Sequence, residues 1–118
     1  MRLHHVQLSC PAGGEDAARR FWVEGLGLRE VDKPPALAAR GGAWFRGAAV
    51  EVHVGVEEGF APARKAHPAF VVDDLDALAT RLAALAYPVS WDGDFPAHRR
   101  FYTADGHGNR IELLQPLA

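Results

Sequence analysis

Cysteine is nearly absent: Cys10 stands alone among 118 residues, so no disulfide can form within the chain, as suits a reducing compartment. Charge of one sign is not in excess either. Lys and Arg number 13 against 15 Asp and Glu, for a net charge of −2. That balance leaves no basic field for a phosphate backbone and no acidic tail, so nucleic acid is not an expected partner. No apolar run approaches the roughly 18 residues that a membrane span needs. The first residues, Met1-Arg2-Leu3-His4-His5, pass into polar Gln7 and Ser9 and then Gly13-Gly14-Glu15-Asp16, without the apolar stretch of a signal peptide. The expectation is a cytoplasmic protein without membrane contact. What remains, 48% hydrophobic and 24% charged residues, is the make-up of one ordinary globular domain. A domain takes roughly 100–150 residues, so any internal repeat must share one core.

Periodicity shows such a repeat. Leu3 to Ser9 alternates as a strand, with Val6 and Leu8 on one side and His5, Gln7 and Ser9 on the other. Ala17, Ala18, Phe21 and Trp22 follow at helical spacing over Glu15 to Glu24, and Gly25-Leu26-Gly27-Leu28 stops the helix. Arg29 to Val31, Leu37 to Arg40 and Ala43 to Arg46, broken by Pro34-Pro35 and Gly41-Gly42, read as two or three strands. Val50, Val52, Val54 and Val56 then alternate with Glu51, His53 and Gly55. A polar connection over about 58–66 follows, and the pattern restarts. His67 to Val72 is strand-like, Asp73 or Asp74 is a ready N-cap, and Leu75, Leu78, Leu82 and Leu85 form one helix face that Tyr87-Pro88 ends. Val89 to Trp91, Arg99 to Thr103 and Arg110 to Leu114 complete the second half, with turns at Asp92-Gly93-Asp94 and Asp105 to Asn109. The fold expected is α+β: two βαβββ modules, about 1–57 and 67–118, forming a cupped mixed sheet with helices on the outer face.

A helix on one sheet face leaves the other for polar side chains. Alternation turns His5 and Gln7, Glu51 and His53, His67, and Arg110 and Glu112 to that face. Histidines and a carboxylate on rigid strands are the donors of a 2-His-1-carboxylate metal site with open positions. Imidazole and carboxylate suit Fe(II), Mn(II), Ni(II) or Zn(II) without choosing among them. Trp44, Arg46, Arg100, Phe101 and Tyr102 come from strands or strand ends near the same face, and aromatic walls with an arginine suit a small anionic or oxygenated ligand. Alternation forbids Phe101 and Tyr102 both facing it. His4 falls on the opposite strand face from His5, His107 lies in a turn, and His98 sits on the loop before a strand, where it could reach the mouth. Cys10 reads as a small strand-end hydrophobe.

Four segments carry a resemblance over nearly the whole chain: Leu3-His4-His5-Val6-Gln7-Leu8, Phe21-Trp22-Val23-Glu24-Gly25-Leu26-Gly27-Leu28, His67-Pro68-Ala69-Phe70-Val71-Val72-Asp73-Asp74-Leu75, and Phe101-Tyr102-Thr103-Ala104-Asp105-Gly106-His107-Gly108-Asn109-Arg110-Ile111-Glu112-Leu113. With them the chain resembles the vicinal oxygen chelate superfamily, which groups glyoxalases, bleomycin-resistance proteins and ring-cleaving dioxygenases. The last segment is the most specific, although Ala104 stands where the family often has proline. The resemblance implies a divalent metal held by His5, His67 and Glu112, with His53 favoured over Glu51 as a fourth ligand and Glu51 then left as a general base poised by burial and the nearby cation. Gln7, Trp44, Arg46, Arg100 and Phe101 are the expected substrate contacts. The activity implied is lyase, isomerase, epimerase, thiol-addition or dioxygenase chemistry on a small molecule. The alternative is a metal-free protein that sequesters a drug or metabolite, and a regulatory domain with relic ligands is a third reading. Relatives pair their modules within a chain or between chains, and the short connection implies a homodimer, in which His5 of one chain could join His67 and Glu112 of the other.

Overall fold

The strand-helix-strand-strand-strand order occurs twice in the computed structural model, which describes Met1–Ala118. The chain divides into two compact units, Met1–Pro62 and Ala63–Ala118. Module one contains β1 (Val6–Cys10), α1 (Glu15–Arg19), β2 (Arg29–Val31), α2 (Pro35–Ala38), β3 (Ala43–Arg46) and β4 (Glu51–Val56). Its sheet has the order β1-β4-β3-β2, with β1 parallel to β4 and the other pairs antiparallel. Pairing sets Phe45 beside Val52, and both are fully buried with Ala43, Val54, Cys10 and, from the helical segment, Ala18, Phe21 and Trp22. The expected helix is interrupted: beyond α1 the chain widens to a π-helical turn over Arg20–Gly25, where the Leu26 amide donates to the Phe21 carbonyl at 2.9 Å.

Leu37 to Arg40, a strand candidate on pattern, is instead part of a one-turn helix and its exit. Pro35 sits in the first helical turn, where its missing N–H costs nothing, and the alanines around Leu37 favour a helix.

Module two contains β5 (Ala69–Val71), α3 (Leu75–Ala84), β6 (Ser90–Asp92), β7 (His98–Ala104) and β8 (Arg110–Pro116), with sheet order β5-β8-β7-β6. Helix α3 starts on Asp74, whose carboxylate accepts the Ala77 amide at 3.0 Å. It buries Leu75, Leu78, Ala79 and Leu82. Phe101, Ile111 and Leu113 are also fully buried. Burying a leucine fully is worth roughly 1.5–3 kcal/mol, so this stripe, more than helix propensity, holds α3 in place. The repeat therefore appears as two four-stranded sheets, each with a polar face opposite its apolar one.

Candidate functional site

On module one the register places Gln7 beside His53, His53 beside Trp44 and Glu51 beside Arg46, all on the polar face of the sheet. His53 is the centre of a stack. Its ring lies 4.0 Å from that of His5 and 3.9 Å from that of Trp44, within 17° and 3° of parallel. Burial holds its pKa below the ordinary value, so the imidazole is neutral at pH 7. Its Nε2–H donates to Glu51 Oε2 at 2.7 Å, which leaves Nδ1 with the lone pair. The other Glu51 oxygen accepts from Arg46 Nε at 2.7 Å.

The His53 and Arg46 hydrogen bonds bring the Glu51 pKa down to about 2. The expectation for this carboxylate is a general base poised by burial and a nearby cation. The donors on both oxygens outweigh burial, and a group so acidic is a poor proton acceptor. Glu51 is placed to orient His53. His4 Nδ1 meets His5 Nδ1 at 2.9 Å, and both histidines are exposed. Gln7 lies on the same face, with its amide over Gly55: a Cβ at that glycine would come within 2.7 Å of Gln7 Nε2.

Module two builds its polar face around Glu112, which is 4% exposed. One oxygen is 2.9 Å from His67 Nε2, and the other accepts from Arg100 Nη1 at 3.3 Å. Arg100 is held in turn by Asp92 Oδ1, at 3.2 Å from Nε and 3.1 Å from Nη2. Tyr102 lies beside them, with the Arg100 guanidinium 5.2 Å and the Arg110 guanidinium 4.1 Å from its ring centroid. Strand alternation therefore resolves in favour of Tyr102. Phe101, expected among the substrate contacts, is fully buried on the helix side and edge-packed on Trp91, so it does not share a face with Glu112. His98 opens β7, hydrogen-bonded through Nδ1 to the Pro96 carbonyl at 2.9 Å. His107 lies in the Asp105–Asn109 turn, where its backbone amide donates to Asp105.

His67 has a further partner. Its Nδ1–H donates to the Lys65 carbonyl at 2.7 Å. A neutral ring fixed in that tautomer presents the lone pair of Nε2 to the Glu112 carboxylate, two acceptors face to face. A proton on the ring or a cation between them removes the conflict. An imidazole whose second nitrogen donates to a backbone carbonyl, beside a carboxylate, is the chemistry of a metal-ligand pair. The donors come in such pairs: no group of three or more His, Cys, Asp or Glu side chains converges as a metal-holding cluster.

Sequence alternation missed Lys33 and Arg40, which border a pocket with Gln7, Trp44 and His53. They flank the one-turn helix α2, where no periodicity reports direction. Asp92 has the sequence context of a turn residue, and its ion pair with Arg100 depends on the β6–β7 register.

Residues 2–113 match the family model of the Glyoxalase/Bleomycin resistance protein/Dioxygenase superfamily. Among solved structures, a glyoxalase family protein from Bacillus anthracis is 41% identical, with a TM-score of 0.94 over 98% of this chain and 95% of that one. TnmS3, an antibiotic binding protein from Streptomyces sp. CB03234, is 26% identical, with a TM-score of 0.71 over 98% of each chain. FosX, a fosfomycin resistance protein from Listeria monocytogenes, shares the fold at 16% identity, with a TM-score of 0.78 over 98% of this chain and 93% of that one. No curated protein matches in sequence. Two βαβββ modules, the paired imidazole and carboxylate donors, and a match spanning nearly the whole length lead to one conclusion: this chain belongs to the glyoxalase/bleomycin resistance protein/dioxygenase superfamily.

Proposed function

We propose that the chain is a small metal-dependent enzyme of the glyoxalase and dioxygenase type, with a divalent Fe, Mn, Ni or Zn ion held by the His67 and Glu112 pair of one chain and completed by His5 of a second copy. The observation that carries this reading is His67, whose Nδ1–H is committed to the Lys65 carbonyl and whose Nε2 faces Glu112 at 2.9 Å. His53 is the better fourth donor, because its Nδ1 keeps a lone pair while both Glu51 oxygens are occupied. Such an ion would supply Lewis acidity toward the oxygens of a small substrate. The chain's own groups supply orientation. Glu51 fixes the His53 tautomer, Asp92 steers Arg100 onto Glu112, and Trp44 and Tyr102 offer aromatic surface to the substrate. We assign the protein to the cytoplasm as a homodimer. Its single, buried Cys10 and the absence of any helix long and apolar enough to cross a membrane are compatible with that placement.

Elemental analysis of protein purified without a metal-affinity tag or chelator tests the reading, with light scattering on the same sample for mass. The expected outcome is near-stoichiometric metal in a dimer, and metal affinity lowered at least about tenfold in His67→Ala. Metal-free protein that takes up none of the four added ions would overturn it. The second reading, a metal-free binding protein for a planar drug or metabolite, would then stand. The His5–His53–Trp44 stack and the likeness to an antibiotic binding protein favour that alternative.

A further inference from the structure

Module one has a pocket of about 170 Å³ lined by Gln7, Lys33, Leu37, Arg40, Trp44 and His53, together with backbone around Gly41 and Gly55. Its lining includes two cations, an amide, an aromatic ring and an imidazole, and no carboxylate. The cations differ in how they are held. The Lys33 ammonium donates to the Gly41 carbonyl, which ties the residue entering α2 to the one leaving it and leaves other N–H donors open. The Arg40 guanidinium has no ion-pair or hydrogen-bond partner, whereas Arg19, Arg46, Arg99 and Arg100 are each paired with a carboxylate.

The segment leaving α2 after Arg40 is fixed by its backbone. Gly41 and Gly42 run at φ +75° and +86°, and a Cβ at Gly42 would lie 2.2 Å from the Val54 carbonyl oxygen, so the loop packs directly on β4. The Gly42 amide donates to Glu15 at 2.9 Å, and Glu51 is spent on His53 and Arg46. Glu15 therefore braces the Gly41–Gly42 segment from outside the pocket lining, and Glu51 is held by its own two donors.

We propose that this pocket is an oxyanion subsite: Lys33 and Arg40 hold a carboxylate or phosphoryl group, while the rest of the ligand lies along Trp44 toward His53. The volume sets the scale. It is below the roughly 300–1,000 Å³ of a pocket that encloses a drug-sized molecule, so it admits the charged end of a ligand. A guanidinium adds two parallel donors that match either oxyanion, and a fixed ammonium adds a point charge. The assignment of that anion as part of a substrate rests on the enzymatic reading above; its capture by Lys33 and Arg40 does not.

Calorimetric titration of the full-length protein with inorganic phosphate and, separately, with benzoate tests the subsite, alongside metal content of the same samples. The variants are Arg40→Glu and Lys33→Gln. Arg40 touches no partner, so its replacement leaves the thermal midpoint unchanged, and affinity for at least one probe falls about 10- to 100-fold, the worth of one charge-assisted contact. Lys33→Gln weakens the same probe. Preference for phosphate assigns a phosphoryl group, and preference for benzoate a carboxylate next to a planar body. Failure of wild type to bind either probe at millimolar concentration, or binding indifferent to Arg40→Glu, overturns the subsite. Metal-free protein with Arg40-dependent binding overturns the enzymatic reading alone, and metal-bearing protein with Arg40-independent binding overturns the subsite alone.

Discussion

At Gly42 a single missing methyl group governs how a loop meets a strand. With φ at +86° and the Val54 carbonyl oxygen 2.2 Å from any added Cβ, Gly42→Ala meets backbone that cannot step aside. It should cost about 2–4 kcal/mol in urea unfolding. Gly59→Ala, also at positive φ (+68°) but with nothing within 4 Å, should cost only about 1 kcal/mol. Equal losses at the two positions would show that strain alone, without the carbonyl contact, sets the penalty. Glu51 makes a similar point about neighbours. Its place on the polar side of a strand was readable from alternation, but its acidity was not, because that depends on Arg46 arriving from β3 and on the tautomer of His53.

Helix α3 is the element whose ends can be followed bond by bond. Asp74 caps its start, and at its end the Ala86 amide donates to the Ala83 carbonyl at 3.0 Å and the Tyr87 amide to the Leu82 carbonyl at 2.9 Å. That is a Schellman closure, and it requires a left-handed residue at the position Ala86 fills with φ +68°. Glycine adopts that conformation without strain, so Ala86→Gly should stabilise the protein by about 0.5–1 kcal/mol, read as a raised thermal midpoint. A lowered midpoint would mean that chain entropy outweighs the relieved strain. The turn before β8 is built otherwise: Asp105 accepts the amides of His107 and Asn109, each at 2.9 Å, and the Asn109 side chain at 2.8 Å. Such punctuated elements were legible from sequence. Leu37 to Arg40 was not, since a short apolar run between proline and glycine pairs fits a strand or a helical turn equally well.

For the whole molecule, a net charge of −2 means that folding stability in acid turns on individual carboxylates. Glu15 is held below the usual 4.5 mainly by the Gly42 amide, and Asp76 below the usual 3.8 mainly by the Arg99 guanidinium. A depressed folded pKa adds stability above the unfolded value, and that stability disappears as pH falls through the folded one. The thermal midpoint should therefore drop on acidification below about pH 4.5. A Glu15→Gln, Asp76→Asn double variant should start lower at pH 7 and fall less steeply; parallel curves would remove these two groups from the account. Periodicity by itself determined the repeated βαβββ order and the polar strand faces bearing Gln7, His53 and Glu112, because strand alternation and helical spacing are local properties of the chain. Tertiary structure alone decided that Tyr102 and not Phe101 joins Arg100 beside Glu112, that Trp44 and His5 enclose His53, and that the segments flanking α2 carry Lys33 and Arg40 to a pocket. Those outcomes depend on register between strands distant in sequence and on loop geometry, and neither leaves a periodic trace.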